Sequence, residues 1–410
     1  MERFDMKKKP VKEKFFLTPI AYLLSFPSVL LRKLKITKTN MENLKPPYVL
    51  LCTHHAFIDF KVTTAAVFPY RPNYVVAIDG YIKREWLLRN VGAICKRKFT
   101  NDTILYKHIK YSLENLKNIV AIYPEARYSL IGTTAILPES LAKMVKNLKH
   151  PVAVLNMHGN YLSQPVWNLK QRKVNIKADL TQIITQKETE TLSVEEINKR
   201  INDAFYYDEY KWQLDNNILI KEKFRAEGLH RVLYQCPSCL TESKMNSKDH
   251  ILYCEACNKK YELNYNGTLS AVDDKLEFSH VPDWFEFERE NVRKEIDSGN
   301  YYFSDDVYVE SLPNSKGYIP LGMGKLVHDY NGFHLTLNDE SLDLKKEVLS
   351  MYGVHVELNY KNKGDCISLS TLDDTYYIYP TKKNVVTKLH FATEELYKIK
   401  KASFRNRRAI

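Results

Sequence analysis

Two side chains with complementary proton chemistry follow the first apolar run of the chain. His54 and Asp59 have four residues between them and come after residues 48–52, which predict a buried strand. If the chain turns back there, the carboxylate can meet one ring nitrogen of the histidine. That contact fixes the tautomer and leaves the other nitrogen free to take a proton from a hydroxyl group. We predict His54 as a general base and Asp59 as its orienting partner; the alternative is a loop histidine beside a helix-capping aspartate.

An acid and an arginine follow a later apolar run. Residues 119–123 predict another strand, and Glu125 and Arg127 come directly after it in the segment YPEARYS. Open α/β sheets place their ligands at the carboxyl ends of the strands. We therefore expect Glu125 and Arg127 to lie at the same edge of a sheet as His54.

The elements that must position these residues alternate along the chain. Apolar runs predict strands, and segments with apolar residues every three or four positions predict helices. This alternation is typical of an α/β domain with a central, mainly parallel sheet, which we place at residues 45–225. The predicted strands are 48–52, 73–78, 92–95, 119–123, 151–156 and 174–180, and the predicted helical regions are 59–68, 83–90, 103–118, 140–149 and 193–223.

These motifs together resemble the glycerolipid acyltransferase family, in particular the lysophosphatidic acid acyltransferases. H-x4-D after the first strand and a P-E-(G/A)-x-x-S block after a later strand carry the resemblance, which covers about residues 15–180. Enzymes of this family move a fatty acyl group from acyl-coenzyme A or acyl-carrier protein to a hydroxyl of a lysolipid. The resemblance implies His54 as the general base, Asp59 as its orienter and the Glu125 block as part of the acceptor site.

The family also has a G-x-I-x-x-x-R block that binds the acceptor phosphate. Residues 92–98 (GAICKRK) are similar to it, with Lys98 where the arginine is expected and Arg97 beside it. The resemblance thus implies Arg97, Lys98 and Arg127 as acceptor-binding residues. Arg127 stands one place away from the arginine of the family's E-G-T-R-S, and Val154 replaces a proline of a later block. Because lysine lacks the planar fork of arginine, these departures leave the acceptor headgroup open.

An uncharged apolar segment lies near the amino terminus at residues 15–31, with basic residues on both sides. It is shorter than the roughly 20 residues of a membrane-spanning helix. Polar side chains recur along one side of it at helical spacing: Thr18, Tyr22, Ser25 and Ser28. We predict that residues 1–44 form an amphipathic, membrane-associating region; the alternative is a helix buried in the core.

The composition fits a globular protein of several domains. A chain of 410 residues exceeds what one hydrophobic core usually holds. Its 44% hydrophobic and 27% charged residues exclude wholesale disorder and a polytopic membrane protein. With 61 basic against 49 acidic residues the net charge is +12, which should attract an anionic partner. We predict a cytoplasmic protein, peripheral on the inner face of the cell membrane.

Four of the seven cysteines form two C-x-x-C pairs. Cys236 and Cys239, followed by Cys254 and Cys257, can supply four thiolates to one tetrahedral zinc ion. Because the protein fills all four positions, we predict a structural zinc in a zinc ribbon at residues 230–265. An iron–sulfur cluster or two redox pairs are the alternatives. We expect the ribbon to be a spacer rather than a nucleic-acid binder.

Short alternating runs replace the α/β pattern from about residue 268. They are separated by turn-formers such as Asn331-Gly332 and Lys363-Gly364, which predicts an antiparallel β domain at residues 268–405. A helical pattern over residues 386–403 closes this domain. The arrangement resembles a pleckstrin-homology-like module.

The combined prediction is a multidomain acyltransferase similar to the 1-acylglycerol-3-phosphate O-acyltransferases. Its partners are a membrane surface, a lysolipid acceptor and an acyl thioester donor, either acyl-CoA or acyl-carrier protein; nucleic acid is not an expected partner. The alternative is a non-catalytic protein with the acyltransferase fold, which uses its basic surface and zinc ribbon to bind nucleic acid or a protein.

Overall fold

Apolar runs that alternate with amphipathic segments form a central sheet, as the sequence predicts. The structure, a computed structural model, describes residues 2–272 and 275–408. The strands of this sheet are β1 (Lys35–Thr39), β2 (Val49–Cys52), β3 (Asn73–Ala77), β4 (Ile94–Lys96), β5 (Val120–Ile122), β6 (Val152–His158) and β7 (Lys177–Ile184). Within the described residues they form one seven-stranded sheet in the order β1-β7-β6-β2-β5-β3-β4.

The sheet is mixed, with one change of direction. β6 and β7 are antiparallel, whereas β2 is parallel to both of its neighbours, β5 and β6. The mainly parallel sheet is thus confirmed, and the reversal at β7 is an addition to it. Because β2, β5 and β6 are parallel, the loops that follow Cys52, Ile122 and His158 leave the same edge of the sheet.

Helices pack on both faces of this sheet. Val49 and Leu51 of β2 share one apolar cluster with helices on one face, and Leu50 and Cys52 share another cluster on the opposite face. This alternation explains why the whole of β2 is apolar. The helices are α1 (Thr18–Leu31), α2 (Asp59–Ala66), α3 (Glu85–Asn90), α4 (Thr103–Glu114), α5 (Ser140–Leu148), α6 (Asn160–Ser163), α7 (Gln186–Thr191), α8 (Val194–Ala204) and α9 (Glu209–Asp215). The helical prediction for 193–223 is therefore too long, since α9 ends at Asp215.

Helix α1 packs against α2 with its polar side. Ser25 is buried, and Ser28 Oγ accepts a hydrogen bond from Lys61 Nζ of α2 at 2.7 Å. The opposite side of α1 is apolar and exposed. None of the helices that the structure describes is both long and apolar enough to cross a membrane.

The four cysteines of the two C-x-x-C pairs lie in or next to a small antiparallel sheet. Its strands are β8 (Met245–Lys248), β9 (Ile251–Cys254), β10 (Lys260–Leu263) and β11 (Leu269–Ala271). They lie in the order β11-β10-β9-β8, so this sheet extends beyond residue 265, where we placed the end of the cysteine module. The helix α10 (Val281–Asp297) follows it.

The carboxyl-terminal region is antiparallel, as predicted. Its strands are β12 (Phe303–Ser311), β13 (Ile319–Asp329), β14 (Gly332–Leu337), β15 (Asp343–Glu347), β16 (His355–Glu357), β17 (Cys366–Ser370) and β18 (Thr375–Pro380), followed by the terminal helix α11 (Val386–Arg408). In the described part of the chain they form one sheet in the order β15-β14-β13-β12-β18-β17-β16. Helix α10, which packs against α11, was not predicted from the sequence. The pleckstrin-homology-like likeness stays a prediction.

One apolar core connects the three sheets. It includes Trp167 of the α/β region, Met245 of the cysteine module, Trp284 of α10, and Val307 and Leu396 of the carboxyl-terminal region. The regions are therefore in extensive contact, and side chains of the carboxyl-terminal region lie beside the predicted site.

Candidate active site

His54 and Asp59 lie together, as their spacing predicts. His54 follows β2, and Asp59 is the first residue of α2. The Nδ1 atom of His54 lies 3.0 Å from Asp59 Oδ2. Since an ionised carboxylate can only accept, Nδ1 carries the proton in this pair and Nε2 presents a lone pair. His54 makes no hydrogen bond through Nε2 within the described residues, and its side chain is 23% exposed.

The Asp59 carboxylate is buried and held by four donors. Its Oδ2 atom accepts from His54 Nδ1, from the backbone N–H of His55 at 2.6 Å and from that of Ala56 at 2.9 Å. Its Oδ1 atom accepts from Asn160 Nδ2 at 2.8 Å. Four donors offset the cost of burying a charged group. The carboxylate is thus rigidly placed to orient the imidazole.

The His54 ring contacts two tyrosine rings. Its centroid is 4.4 Å from the ring of Tyr123 and 4.3 Å from the ring of Tyr128. Both tyrosines come from the segment that follows β5, on the strand next to β2. They restrict rotation of the imidazole, so Nε2 keeps one direction.

Glu125 is joined to the histidine loop rather than free at the edge of the sheet. Its Oε2 atom accepts from the backbone N–H of His54 at 3.0 Å, and its Oε1 atom accepts from the hydroxyl of Tyr207 at 2.9 Å. The backbone N–H of Ser129 donates in return to the His54 carbonyl at 2.8 Å. Burial raises the pKa of Glu125 to about 7, against the lowering effect of the Tyr207 and His54 hydrogen bonds. Glu125 therefore fixes the loop that carries His54 and is poised to change charge near neutral pH.

A histidine base oriented by a buried carboxylate, beside a second carboxyl group of raised pKa, can activate a hydroxyl group for attack on a carbonyl carbon. Residues 35–157 match the family model described as Acyltransferase. This match spans β1 to β6 and includes His54, Asp59 and Glu125. It supports an acyltransferase domain in this part of the chain.

The chain was also compared with solved structures and with curated proteins. Among solved structures, the chain is similar to the crystal structure of the 1-acyl-sn-glycerophosphate (LPA) acyltransferase PlsC from Thermotoga maritima. The two are 12% identical, with a TM-score of 0.39 over 46% of this chain and 77% of that chain. No curated protein matches the chain.

Arg127 pairs with the carboxyl-terminal region. Its Nη2 atom donates to Glu394 Oε1 of α11 at 2.9 Å, and Arg289 of α10 donates to the other oxygen of Glu394 at 2.6 Å. The three side chains are largely buried. Burial alone would raise the pKa of Glu394, but His390 and the two guanidinium groups together outweigh it and hold this pKa well below its ordinary value. The predicted acceptor ligand Arg127 is therefore part of a buried ion network.

Arg97 is also bound by the carboxyl-terminal region. It is 2% exposed, and its two Nη atoms each donate two hydrogen bonds of 2.9 Å. The acceptors are Leu312 O, Thr375 Oγ1, Pro313 O and Asp373 O. These bonds give Arg97 a docking role that its position in the GAICKRK segment did not indicate. To bind the headgroup of an acyl acceptor, Arg97 would have to give up these four hydrogen bonds.

Lys98 lies in a third contact with the same region. Its Nζ atom is 3.2 Å from Asp79 Oδ2 and 2.8 Å from His355 Nε2. Burial lowers the pKa of His355, and the charge of Lys98 lowers it further, whereas Glu357 raises it. The same Nε2 atom lies 2.9 Å from Glu357 Oε1, so the tautomer decides whether it accepts from Lys98 or donates to Glu357. Asp79, His355 and Glu357 are close enough to share a metal ion. The ammonium group of Lys98 already supplies the positive charge at this cluster.

The structure thus brings His54, Asp59 and Glu125 into one site and uses Arg97, Lys98 and Arg127 at the contact with the carboxyl-terminal region. Asn160 and Tyr207 also contact these residues, and neither was predicted from the sequence. Asn160 could have been found, since it follows β6, a strand parallel to β2. Tyr207 lies after α8 with no local pattern that points to Glu125.

The four cysteines of the two C-x-x-C pairs converge. Their Sγ atoms all lie within 4.8 Å of one another, and the Cys236–Cys257 and Cys239–Cys254 pairs are each 3.7 Å apart. This distance is far longer than the roughly 2.05 Å of a disulfide bond. Four sulfurs about 2.3 Å from a tetrahedral zinc ion would be separated by about 3.8 Å. The donor set and its spacing therefore fit zinc.

Replacing Glu394 with glutamine should destabilise the protein by about 3–5 kcal/mol, because the buried Arg127 loses its carboxylate partner, whereas Arg289 keeps Glu286 and Glu395. The midpoint of urea denaturation measures this loss. The control is Glu286→Gln, which removes a half-exposed partner of the same Arg289 and should cost under about 1 kcal/mol.

The stability that Glu394 contributes should fall in acid. The pKa of Glu394 is lowered in the folded state, so its contribution to stability is complete above the ordinary carboxyl pKa of about 4.3 and is lost as the pH falls below it. The stability difference between the wild type and Glu394→Gln should shrink as the solution is acidified below that value. Equal denaturation midpoints of the two proteins at neutral pH would contradict the network.

Proposed function

We propose that the α/β region transfers a fatty acyl group from an acyl thioester to a hydroxyl of a lysophospholipid-like acceptor, as a 1-acylglycerol-3-phosphate O-acyltransferase does. The His54–Asp59 pair carries this proposal, because Asp59 holds Nδ1 and leaves the Nε2 lone pair free, while Glu125 fixes the backbone of His54. The acyltransferase match over residues 35–157 supports the reaction class.

The proposed reaction needs no acyl-enzyme intermediate. Nε2 of His54 takes the proton of the acceptor hydroxyl while the hydroxyl oxygen attacks the thioester carbonyl carbon. The C–S bond then breaks, and the leaving thiolate takes the proton back from Nε2. Asp59 stabilises the imidazolium that exists between the two transfers. The donor is acyl-CoA or acyl-carrier protein.

Acceptor contact by Glu125, Arg127, Arg97 and Lys98 stays part of the proposal. Each of the three cations already has protein partners at the contact with the carboxyl-terminal region. An anionic headgroup that binds them must compete with those partners. Lysolipids with and without a terminal phosphate should therefore be compared as acyl acceptors.

The test is to incubate the purified protein with labelled acyl-CoA or labelled acyl-carrier protein and a panel of lysolipids. Formation of the diacyl product supports the proposal. No consumption of either thioester with any acceptor, together with salt-dependent binding of nucleic acid, would instead favour the non-catalytic alternative.

We further propose that α1 holds the protein on the membrane. Its exposed side carries Leu23, Leu24, Leu30 and Leu31, which are between 64% and 84% exposed. Its buried side carries Ser25 and packs on α2, the helix that begins at Asp59. A helix with an apolar face towards solvent fits the interface of a bilayer. This placement would bring the His54–Asp59 pair close to lipid substrates.

We also propose that the cysteine cluster binds one structural zinc ion. Cys236, Cys239, Cys254 and Cys257 would hold it, and no substrate would meet it, because the protein supplies all four ligands. Zinc would join the segment before β8, which carries Cys236 and Cys239, to the end of β9, which carries Cys254.

The purified protein is expected to contain one equivalent of zinc, and Cys254→Ser should lose it and lower the thermal midpoint, because three ligands bind zinc far more weakly than four. Metal analysis and a thermal melt measure the two effects. Cys95→Ser is the matched control, since Cys95 is a buried cysteine outside the cluster. A brown protein that contains iron and no zinc would contradict the assignment.

A further inference from the structure

Asn160 lies directly behind the pair of side chains that the proposed reaction uses. It is the first residue of α6, two positions after the end of β6. Because β6 runs parallel to β2, this position is at the same edge of the sheet as His54. Gly159 makes the turn between them with a φ of 81°, and a Cβ at this glycine would lie 2.6 Å from the Asn175 carbonyl oxygen. The backbone thus fixes the place of Asn160.

The side chain of Asn160 contacts the carboxylate that orients the base. Its Nδ2 atom donates to Asp59 Oδ1 at 2.8 Å, and both residues are at most 1% exposed. An amide that faces a carboxylate must present its nitrogen, since two oxygens cannot share a hydrogen bond. Within the described residues this is the sole donor to Oδ1, whereas Oδ2 has three donors.

Loss of this donor would change the orientation of the Asp59 carboxylate. A buried carboxylate oxygen without a donor is costly, and rotation of the carboxylate about its Cβ–Cγ bond would relieve that cost. Rotation would also move Oδ2 away from His54 Nδ1. The amide of Asn160 therefore selects the carboxylate orientation in which the imidazole keeps its proton on Nδ1.

We propose that Asn160 is a positioning residue of the active site: it acts through Asp59 to hold His54 with its Nε2 lone pair towards the substrate. Asn160 itself touches no reacting atom. This inference rests on the proposed acyl transfer for its kinetic test, but its structural test is independent of any activity.

The kinetic test compares Asn160→Leu, which keeps the approximate size and removes the donor, with the wild type. The expected result is a kcat lower by about 10- to 100-fold with KM values for both substrates within twofold of the wild type, because the base is misplaced while substrate binding is unchanged. Asn168→Leu is the matched control. Asn168 is also buried, but its Nδ2 donates to the Phe224 carbonyl, and this variant should keep its kcat.

The structural test follows the Nδ1 proton of His54 by NMR in protein labelled with ¹⁵N-histidine, with the resonance assigned by its loss in His54→Gln. The signal should shift upfield or broaden in Asn160→Leu and stay in place in Asn168→Leu. Should Asn160→Leu fail to fold, Asn160→Ser takes its place, with a shorter donor and an expected change in the same direction. An unmoved resonance, or an unchanged kcat in a folded variant, would overturn the inference. If the wild-type protein shows no acyl transfer, the proposed function is refuted. The NMR experiment would still test the role of Asn160, because it does not depend on activity.

Discussion

Replacing His54 with alanine should lower the rate of acyl transfer by at least about 100-fold, because a positioned general base contributes roughly 10²- to 10⁴-fold to such a step. The change removes the atom that takes the acceptor proton, and no described residue stands in for Nε2. The variant should still fold, because Asp59 Oδ2 keeps the backbone N–H donors of His55 and Ala56 when His54 Nδ1 is lost. Initial rates with saturating thioester and acceptor measure the effect.

His334→Ala is the matched control for this experiment. Its Nε2 atom lies 2.9 Å from Asp343 Oδ1, so it forms a histidine–aspartate pair in the carboxyl-terminal sheet, with the two side chains 40% and 62% exposed. This variant should keep the full rate. Retained activity in folded His54→Ala would remove the base mechanism.

The double variant Leu23→Asp, Leu30→Asp should lose membrane binding. Each leucine contributes about 1.5 kcal/mol or more when it leaves water, so two of them correspond to a partition coefficient at least about 100-fold lower. The carboxylates add repulsion from anionic lipids. Sedimentation with vesicles that contain phosphatidylglycerol measures the bound fraction.

Leu169→Asp, Leu372→Asp is the control for this double variant, because both leucines are more than half exposed in other parts of the surface. It adds the same charge and should bind vesicles like the wild type. If the α1 variant also binds like the wild type, α1 is not the membrane contact. Equal losses in both double variants would point to net charge rather than to α1.

Local patterns predicted the elements around the site well. The run 48–52 is β2 at Val49–Cys52, and the run 119–123 is β5 at Val120–Ile122. Strands buried on both faces are continuous apolar segments, so they can be read from a few residues. The His54–Asp59 contact was predictable for the same reason, because its two members are close along the chain.

Contacts between distant segments were not predictable. Arg127 and Glu394 are 267 positions apart, and neither has a local pattern that names the other. The sequence therefore indicated a free cation where the fold makes a buried ion pair. Helix α10 was missed because residues 285–288 near its start alternate aromatic and acidic side chains (FEFE), which imitates the period of a strand.

The apolar core that joins the three sheets limits how the protein can be dissected. A fragment that ends near residue 225 would leave Trp167 and its neighbours facing water, because their partners lie in the segments removed. Such a fragment would also strip Arg97 and Arg127 of their buried acceptors. Truncation is thus a poor way to isolate the catalytic function, and point substitutions in the intact polypeptide are the informative route.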